Sequence, residues 1–144
     1  MSPGSLLKIW LPVCVFMMLF PSPGFSQGIV IDHTCTDMSR IPEYWLTQAK
    51  ELRIHYAHTS HGGQLLEGAD ALENHDGRFG YTISSSGLPS QQSPHVLRIY
   101  DGNNYGGNNY ITPEMYWSEE DGRTHTRQVA NTGNFDYSMW AWCG

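Results

Sequence analysis

Two patterns of apolar and polar residues follow each other early in the chain, the first with the spacing of a helix and the second alternating as in a strand. Apolar positions at helical spacing run from Tyr44 to Leu52, and Pro42 and Glu43 are typical of a first helical turn, with Ser39 as the candidate N-cap. From Leu52 the period shortens to two, which predicts a strand through Ala57. A polar turn at residues 58–63 follows, and then a second helical pattern.

The remaining pattern alternates strands with helices and predicts an α/β fold with a mainly parallel sheet. Asp76–Pro94 is rich in Gly, Ser, Gln and Pro, which predicts a loop. Three strands are visible, below the usual sheet size, so we expect this chain to be the N-terminal part of a longer domain. The later elements are predicted as helices at Gln64–Asn74, from Thr112 and at Arg123–Asn131, and strands at Val96–Tyr100 and Phe135–Trp142.

The first 26 residues have the order of regions found in a signal peptide. Lys8 precedes an apolar stretch at Ile9–Phe20, and the small residues Gly24 and Ser26 suit a cleavage site before Gln27. We therefore expect residues 27–144 to form the N-terminal part of one secreted or periplasmic domain. The longest apolar run is shorter than the roughly 18 residues that a membrane-spanning helix requires.

The overall charge argues against a nucleic-acid partner. The 144 residues contain 14 Asp and Glu against 8 Lys and Arg, for a net charge of −6, and the basic residues form no cluster. Cys35 and Cys143 remain after removal of the signal peptide. An exported chain with two cysteines predicts one disulfide, although two unpaired thiols stay as the alternative.

Ser60 is the main candidate for a catalytic residue. It lies between an apolar strand and a helix, in a turn that contains Gly62 and Gly63. Such a turn exposes a serine hydroxyl at the carboxyl edge of a sheet and directs helix-start N–H groups toward an oxyanion. The alternative role for Ser60 is a helix N-cap. As bases for a serine nucleophile we consider the adjacent His61, the distant His95 and His125, and a histidine beyond residue 144.

Histidines at a spacing of three suggest a metal site as a competing interpretation. His55 and His58 should diverge because strand positions i and i+3 face opposite sides. His58 and His61 could converge through the turn, joined by Asp76 or Asp101. Two turn histidines fall short of a full ligand set, so no metal and no other cofactor is predicted.

Aromatic and amide side chains offer a surface for sugars. The sequence Gly-Asn-Asn-Tyr occurs at 102–105 and again at 107–110, which predicts an exposed loop in which Asn104, Tyr105 and Tyr110 contact a carbohydrate. Trp140 and Trp142 share one face of an apolar strand, so we expect them in the core.

Three segments resemble secreted bacterial proteins grouped with the SGNH (GDSL-like) hydrolases. They are Arg53–Gly62 (RIHYAHTSHG), Met139–Gly144 (MWAWCG) and Asp32–Thr36 (DHTCT). The resemblance implies a flavodoxin-like three-layer sandwich and hydrolysis of small esters or acetylated carbohydrates without a metal. Ser60 matches the family's nucleophile, and Gly144 lies where the family has an oxyanion glycine.

The resemblance also implies what this chain lacks. The family's catalytic Asp and His come from a late Asp-x-x-His motif that does not occur here, so we expect a fragment that is inactive alone. The hypothesis is a serine esterase with Ser60 and His61 in the catalytic site. The alternatives are a non-catalytic glycan- or surface-binding module and a metal-dependent enzyme that uses His58 and His61.

Overall fold

The computed structural model describes residue 30, residues 32–106 and residues 108–143. From Ser39 onward these residues form one compact unit, and the described residues up to Met38 belong to a separate one. The latter contains a 3-10 turn at His33–Cys35, in which the Thr34 N–H donates to the Asp32 carboxylate. The predicted signal peptide at residues 1–26 lies outside the described residues, as does Gly144.

Three α-helices and four strands follow one another along the described residues of the compact unit. Helix α1 begins directly after Pro42, not after the predicted N-cap Ser39. The reason is that helical backbone is unfavourable at a residue that precedes a proline, here Ile41. No helix among the described residues is long and apolar enough to cross a membrane. The elements are α1 (Glu43–Glu51), β1 (Arg53–His58), α2 (Gly63–His75), β2 (Tyr81–Ser84), β3 (Leu97–Asp101), α3 (Glu120–Ala130) and β4 (Tyr137–Ala141).

The four strands form one parallel sheet in the order β2-β3-β1-β4. This flavodoxin-like α/β sheet confirms the predicted fold class. The strand that the sequence did not indicate is β2, which lies within the segment predicted as a loop. It has only four residues and pairs on one side only, so it carries too short an apolar pattern to stand out from its polar surroundings.

Helical segments cover both faces of the sheet, which gives three layers. On one face, Ile54 and Tyr56 of β1 pack with Ile99 of β3 and Leu66 of α2. On the other, Ala57 packs against Ile111 and Tyr116. Tyr116 belongs to a π-helical segment, Glu114–Ser118, that precedes α3. The sheet core is therefore buried on both sides at β1, as the nearly complete burial of that strand shows.

Strand β4 is the exception, since it forms an edge of the sheet and is exposed on both faces. The side chains of Tyr137 and Met139 on one face and Trp140 on the other are all more than 40% exposed. The prediction that Trp140 lies in the core is therefore wrong. Trp142 is half-buried and donates a hydrogen bond of 2.8 Å from Nε1 to the carbonyl oxygen of Ile111.

The path of the chain creates a crevice at the carboxyl ends of β1 and β3. After β1 the chain moves toward the β2 edge, and after β3 it crosses back over β1 to reach β4. Since such crossovers are right-handed, the helices that follow β1 and β3 lie on opposite faces of the sheet. Ligands of open α/β sheets bind where this reversal occurs, so the residues that follow β1 and β3 are the first place to look for a site.

Candidate active site

Ser60 lies at this edge of the sheet in a strained backbone conformation. Thr59 follows β1, and residues Ser60–Gly62 then form a 3-10 turn that leads directly into α2; we call residues 60–62 the Ser60 turn. Ser60 has a φ of 35°, although it is not a glycine, and its side chain is exposed. Left-handed backbone at a non-glycine residue is costly and is found preferentially at functional sites.

The Ser60 turn is held close to the sheet by Gly62 and by β4. Gly62 donates its N–H to the Thr59 carbonyl oxygen at 2.8 Å, and its own carbonyl accepts a hydrogen bond of 2.7 Å from the Tyr56 hydroxyl. The Thr59 N–H donates to the carbonyl oxygen of Ala141 at 3.2 Å. This last bond brings the chain just after β4 alongside the turn.

Cys143 consequently joins Ser60 and His61 in a cluster of three exposed side chains, which we call the thiol cluster. The sulfur accepts hydrogen bonds from the His61 side chain, the Ser60 hydroxyl and the His61 backbone N–H. These contacts, with that of the His61 side chain the strongest, lower the pKa of the Cys143 thiol to about 7. Stabilisation of a thiolate by a histidine and a helix start is the usual cause of a low cysteine pKa.

The predicted oxyanion glycines have their N–H groups engaged within the turn itself. Gly62 donates to Thr59, and Gly63 donates to the carbonyl oxygens of Ser60 and His61. The backbone donor that faces away from the turn is the N–H of His61, which contacts the sulfur of Cys143. The position of this turn that can stabilise an anion is thus next to the His61 N–H. Gly144, the third predicted oxyanion residue, lies outside the described residues.

The imidazole of His58 and the carboxylate of Asp101 lie in contact directly beneath the Ser60 turn. The Nε2 atom of His58 lies 3.1 Å from Oδ1 of Asp101, and both side chains are almost completely buried. Asp101 also accepts a hydrogen bond of 3.1 Å from the Asn109 side chain. Asp101 was one of two carboxylates predicted to join His58, but within the described residues no group of three or more His, Cys, Asp or Glu could hold a metal.

His55 diverges from His58, as expected for its position on the strand. Its Nδ1 lies 3.0 Å from the Ser138 hydroxyl, and its Nε2 lies 2.7 Å from the Gly102 carbonyl oxygen. The carbonyl can only accept, so Nε2 carries the proton and Nδ1 accepts from Ser138. Burial lowers the pKa of His55, which favours this neutral form. His55 therefore has a structural role in the sheet.

The remaining histidine candidates have other partners. His95 pairs with Glu51 at the protein surface. Glu51 is the last residue of α1, so this pair lies near the start of β1, whereas the Ser60 turn follows the end of β1. The ring of His125 in α3 lies 4.3 Å, centroid to centroid, from that of Tyr105. Among the histidines considered as bases, His61 is the one in the cluster with Ser60.

The loop that carries the Gly-Asn-Asn-Tyr repeat follows β3, and most of its described amide side chains have structural roles. Asn104 has a φ of 62° and its side chain accepts a hydrogen bond from Tyr100. Tyr105 is half-buried, and Tyr110 is exposed and forms a β-bridge with His58. Of the three predicted carbohydrate contacts, the side chain of Tyr110 is the aromatic one that is open to solvent close to Ser60.

Asn103, which shares the repeat, is fully buried. Its side chain donates to the carbonyl oxygen of Met115 at 3.1 Å and to the Thr126 hydroxyl at 2.8 Å. It thereby joins the loop to the π-helical segment and to α3. The description of this repeat as a purely exposed loop is therefore wrong at Asn103, because the second helical layer packs over it.

The predicted Cys35–Cys143 disulfide is not formed in the structure, where both residues are free thiols and exposed. Cys143 instead places its sulfur among the donors of the Ser60 turn. Sequence reasoning missed Cys143 as a site residue because it was considered only as a disulfide partner. No local pattern in the sequence indicates this position, because it depends on the pairing of β4 with β1.

Comparison of the chain with protein-family models, curated proteins and solved structures found no match. The functional argument therefore rests on the geometry of the described residues.

Proposed function

We propose that the protein is a secreted or periplasmic serine hydrolase of the SGNH type that cleaves small esters or acetyl groups on carbohydrates, with Ser60 as nucleophile. The observation that carries the proposal is the left-handed backbone of an exposed serine at the carboxyl end of an interior parallel strand. A helix cap needs no such strain, since capping serines have extended backbone. Strain at a reactive hydroxyl is typical of a nucleophile held between strand and helix.

The cluster supplies a route for the proton that Ser60 must lose. The Ser60 hydroxyl and the His61 side chain both donate to the sulfur of Cys143, so the thiolate takes the proton of Ser60 while His61 holds the sulfur in place. The Ser60 oxygen attacks the carbonyl carbon, and the Cys143 thiol returns the proton to the departing alcohol. Water then releases the acid from the acyl-enzyme by the same steps in reverse order.

The start of α2 stabilises the charge that develops on the carbonyl oxygen. The His61 N–H faces outward at this point, and the helix dipole adds partial positive charge. An ester oxygen that binds there displaces the sulfur from its backbone donor. The exposed ring of Tyr110 beside β1 provides an apolar surface for the alcohol or sugar portion of the substrate.

The test is labelling of the gene product that contains this chain with a fluorophosphonate, together with hydrolysis of an acetyl ester. We expect Ser60→Ala to abolish labelling and to lower the hydrolysis rate by about 10³-fold or more. The matched control is Ser86→Ala, because Ser86 is an exposed serine just after β2 with an unstrained backbone.

Three results would overturn the proposal. If Ser60→Ala still hydrolyses the ester, Ser60 is not the nucleophile and has only a structural role at the start of the helix. Hydrolysis abolished by a chelator would favour the metal-dependent alternative with His58 and His61. Binding of a polysaccharide by a protein that hydrolyses no ester would favour the glycan-binding module.

A further inference from the structure

We propose that a row of three tryptophans beside the end of β4 binds a neutral polysaccharide and holds it next to the Ser60 turn. The row consists of Trp117, Trp140 and Trp142, and we call it the tryptophan strip. The proposal rests on the proposed hydrolase for the reaction, and it names the substrate as an acetylated polymer. The binding that it predicts is measured without hydrolysis, so the two proposals fail separately.

The indole rings of the tryptophan strip contact one another in sequence. The ring centroids of Trp117 and Trp140 lie 6.3 Å apart, and those of Trp140 and Trp142 lie 4.8 Å apart. Trp117 is 50% exposed and Trp140 is 58% exposed, whereas Trp142 is half-buried at the end of the row. A contiguous apolar patch that stays open to solvent marks a binding surface, because isolated exposed residues are common and clusters of them are not.

Each member of the strip is held in place by the fold. Trp140 lies in β4, whose backbone pairs with β1. Trp142 donates from Nε1 to the carbonyl oxygen of Ile111 at 2.8 Å, and the carbonyl oxygen of Trp117 accepts a hydrogen bond of 3.0 Å from the Arg123 guanidinium. The rings are therefore positioned before a ligand arrives, which lowers the entropy cost of binding.

The chemistry of indole rings fits a sugar ring. A pyranose carries apolar C–H groups on its faces, and these hydrogens are slightly positive, whereas its hydroxyl groups point outward to water. The face of an aromatic ring is apolar and slightly negative, so the two surfaces attract each other while the hydroxyl groups stay hydrated. One indole is at least as wide as one pyranose ring. Three indoles in a row therefore indicate a chain of linked sugars.

The charge near the strip favours a neutral polymer. Glu114 and Glu119 are exposed acidic residues at the two ends of the π-helical segment that carries Trp117. The chain as a whole has a net charge of −6. Both features repel polyanions, which include acidic polysaccharides and anionic lipid surfaces.

The strip is continuous with the candidate active site. Ala141 lies between Trp140 and Trp142 in the chain, and its carbonyl oxygen accepts a hydrogen bond of 3.2 Å from the Thr59 N–H. The exposed Ser60 follows Thr59 directly. A polymer bound on the strip therefore extends to the edge of the sheet where Ser60 lies, and neighbouring sugars stay bound while an acetyl group is attacked.

The experiment measures the affinity of the gene product that contains this chain for partially acetylated glucomannan, a neutral polymer, by electrophoresis in native gels that contain it. We expect Trp140→Ala to weaken binding about tenfold or more, because it removes the central ring. The matched control is Trp45→Ala, since Trp45 is 61% exposed but lies in α1, outside the strip. Trp140→Tyr keeps an aromatic ring and should lose less affinity than Trp140→Ala. Polygalacturonate, an anionic polymer, should bind at least tenfold more weakly.

Ser60→Ala separates the binding site from the reaction. This variant keeps all three indoles, so it should bind the polymer as the unaltered protein does. Binding that depends on Trp140 in a protein that hydrolyses no acetyl group would support the strip and refute the hydrolase. Hydrolysis of small esters without any binding of the polymer would refute the strip and leave the hydrolase in place.

The strip is also refuted if Trp140→Ala and Trp45→Ala change the affinity equally, or if polygalacturonate binds as tightly as glucomannan. Sedimentation velocity tests a second copy of the chain as the occupant, and a dimer that Trp140→Ala dissociates would overturn the proposal. Should a variant fail to fold, oxidation of the unaltered protein by N-bromosuccinimide decides, with mass spectrometry to record each tryptophan. The polymer should protect Trp117 and Trp140 but not Trp45, and equal oxidation with and without the polymer would overturn the proposal.

Discussion

Gly62 lies directly against His58, so that a Cβ built on Gly62 would be 2.4 Å from the Cβ of His58 and 2.8 Å from the Ala141 carbonyl oxygen. The absence of a side chain at Gly62 is therefore what lets the Ser60 turn approach β1 and β4. The same close approach brings Cys143 to the turn. Packing at one glycine thus determines the geometry of the whole cluster.

We expect Gly62→Ala to destabilise the protein by about 1–3 kcal/mol, because neither a β-carbon of the strand nor a backbone carbonyl can move away cheaply. The matched control is Gly68→Ala in α2, where an added Cβ would meet nothing within 4 Å. That change should stabilise the helix by about 0.5–1 kcal/mol. Urea unfolding measures both, and equal effects would contradict the close approach.

Ser60→Gly should be at least as stable as Ser60→Ala, although glycine normally destabilises relative to alanine. A non-glycine residue with left-handed backbone costs about 1–2 kcal/mol, which glycine avoids. Ser86 serves as the control, since its backbone is not in that region. There the glycine variant should be the less stable one by about 0.5–1 kcal/mol. The same order at both positions would show that Ser60 is not strained.

Removing the Asp101 carboxylate should be among the costlier single changes in the sheet. Asp101→Ala leaves the buried imidazole of His58 without its polar partner and removes the acceptor of Asn109, for an expected loss of about 1–3 kcal/mol. Asp101→Asn keeps one oxygen and should cost less. Glu120→Ala, which breaks two exposed ion pairs, with Arg123 and Arg127, should change the unfolding midpoint little. A comparable effect at both sites would contradict the buried pair.

His55 should make stability fall below about pH 6.5. Burial lowers its folded-state pKa, so between the unfolded value near 6.5 and the lower folded value the unfolded chain binds more protons. Its contribution is complete above about pH 6.5 and is lost as the pH falls through the folded pKa, with a slope of at most about 1.4 kcal/mol per pH unit.

Thermal melting between pH 7.5 and 5 tests this expectation. The curve for His55→Gln should be flatter over that range than the curve for the unaltered protein. Exposed carboxylates with lowered pKa values, such as Asp136, change the stability only when the pH falls to about 4 and below. Parallel curves for the two proteins between pH 7.5 and 5 would show that His55 does not remain neutral.

The sequence by itself determined the interior of the fold. The alternation from Leu52 to Ala57 predicts β1, and the helical spacing after residue 63 predicts α2, both confirmed within one or two residues. Such patterns are local, because a strand or a helix repeats its buried positions every two or every three to four residues. They also indicated Ser60, since its place between the two elements is a property of chain order alone.

Only the tertiary structure decided which residues stand beside Ser60. Cys143 is 83 positions away along the chain, and it arrives there because β4 pairs with β1 in the register that sets Ala141 against His58. Asp101 meets His58 through the neighbouring pairing of β3. Register depends on packing between strands distant in sequence, and no local period records it. For the same reason the burial of Asn103 and the exposure of Trp140 followed from the layers around them rather than from their own segments.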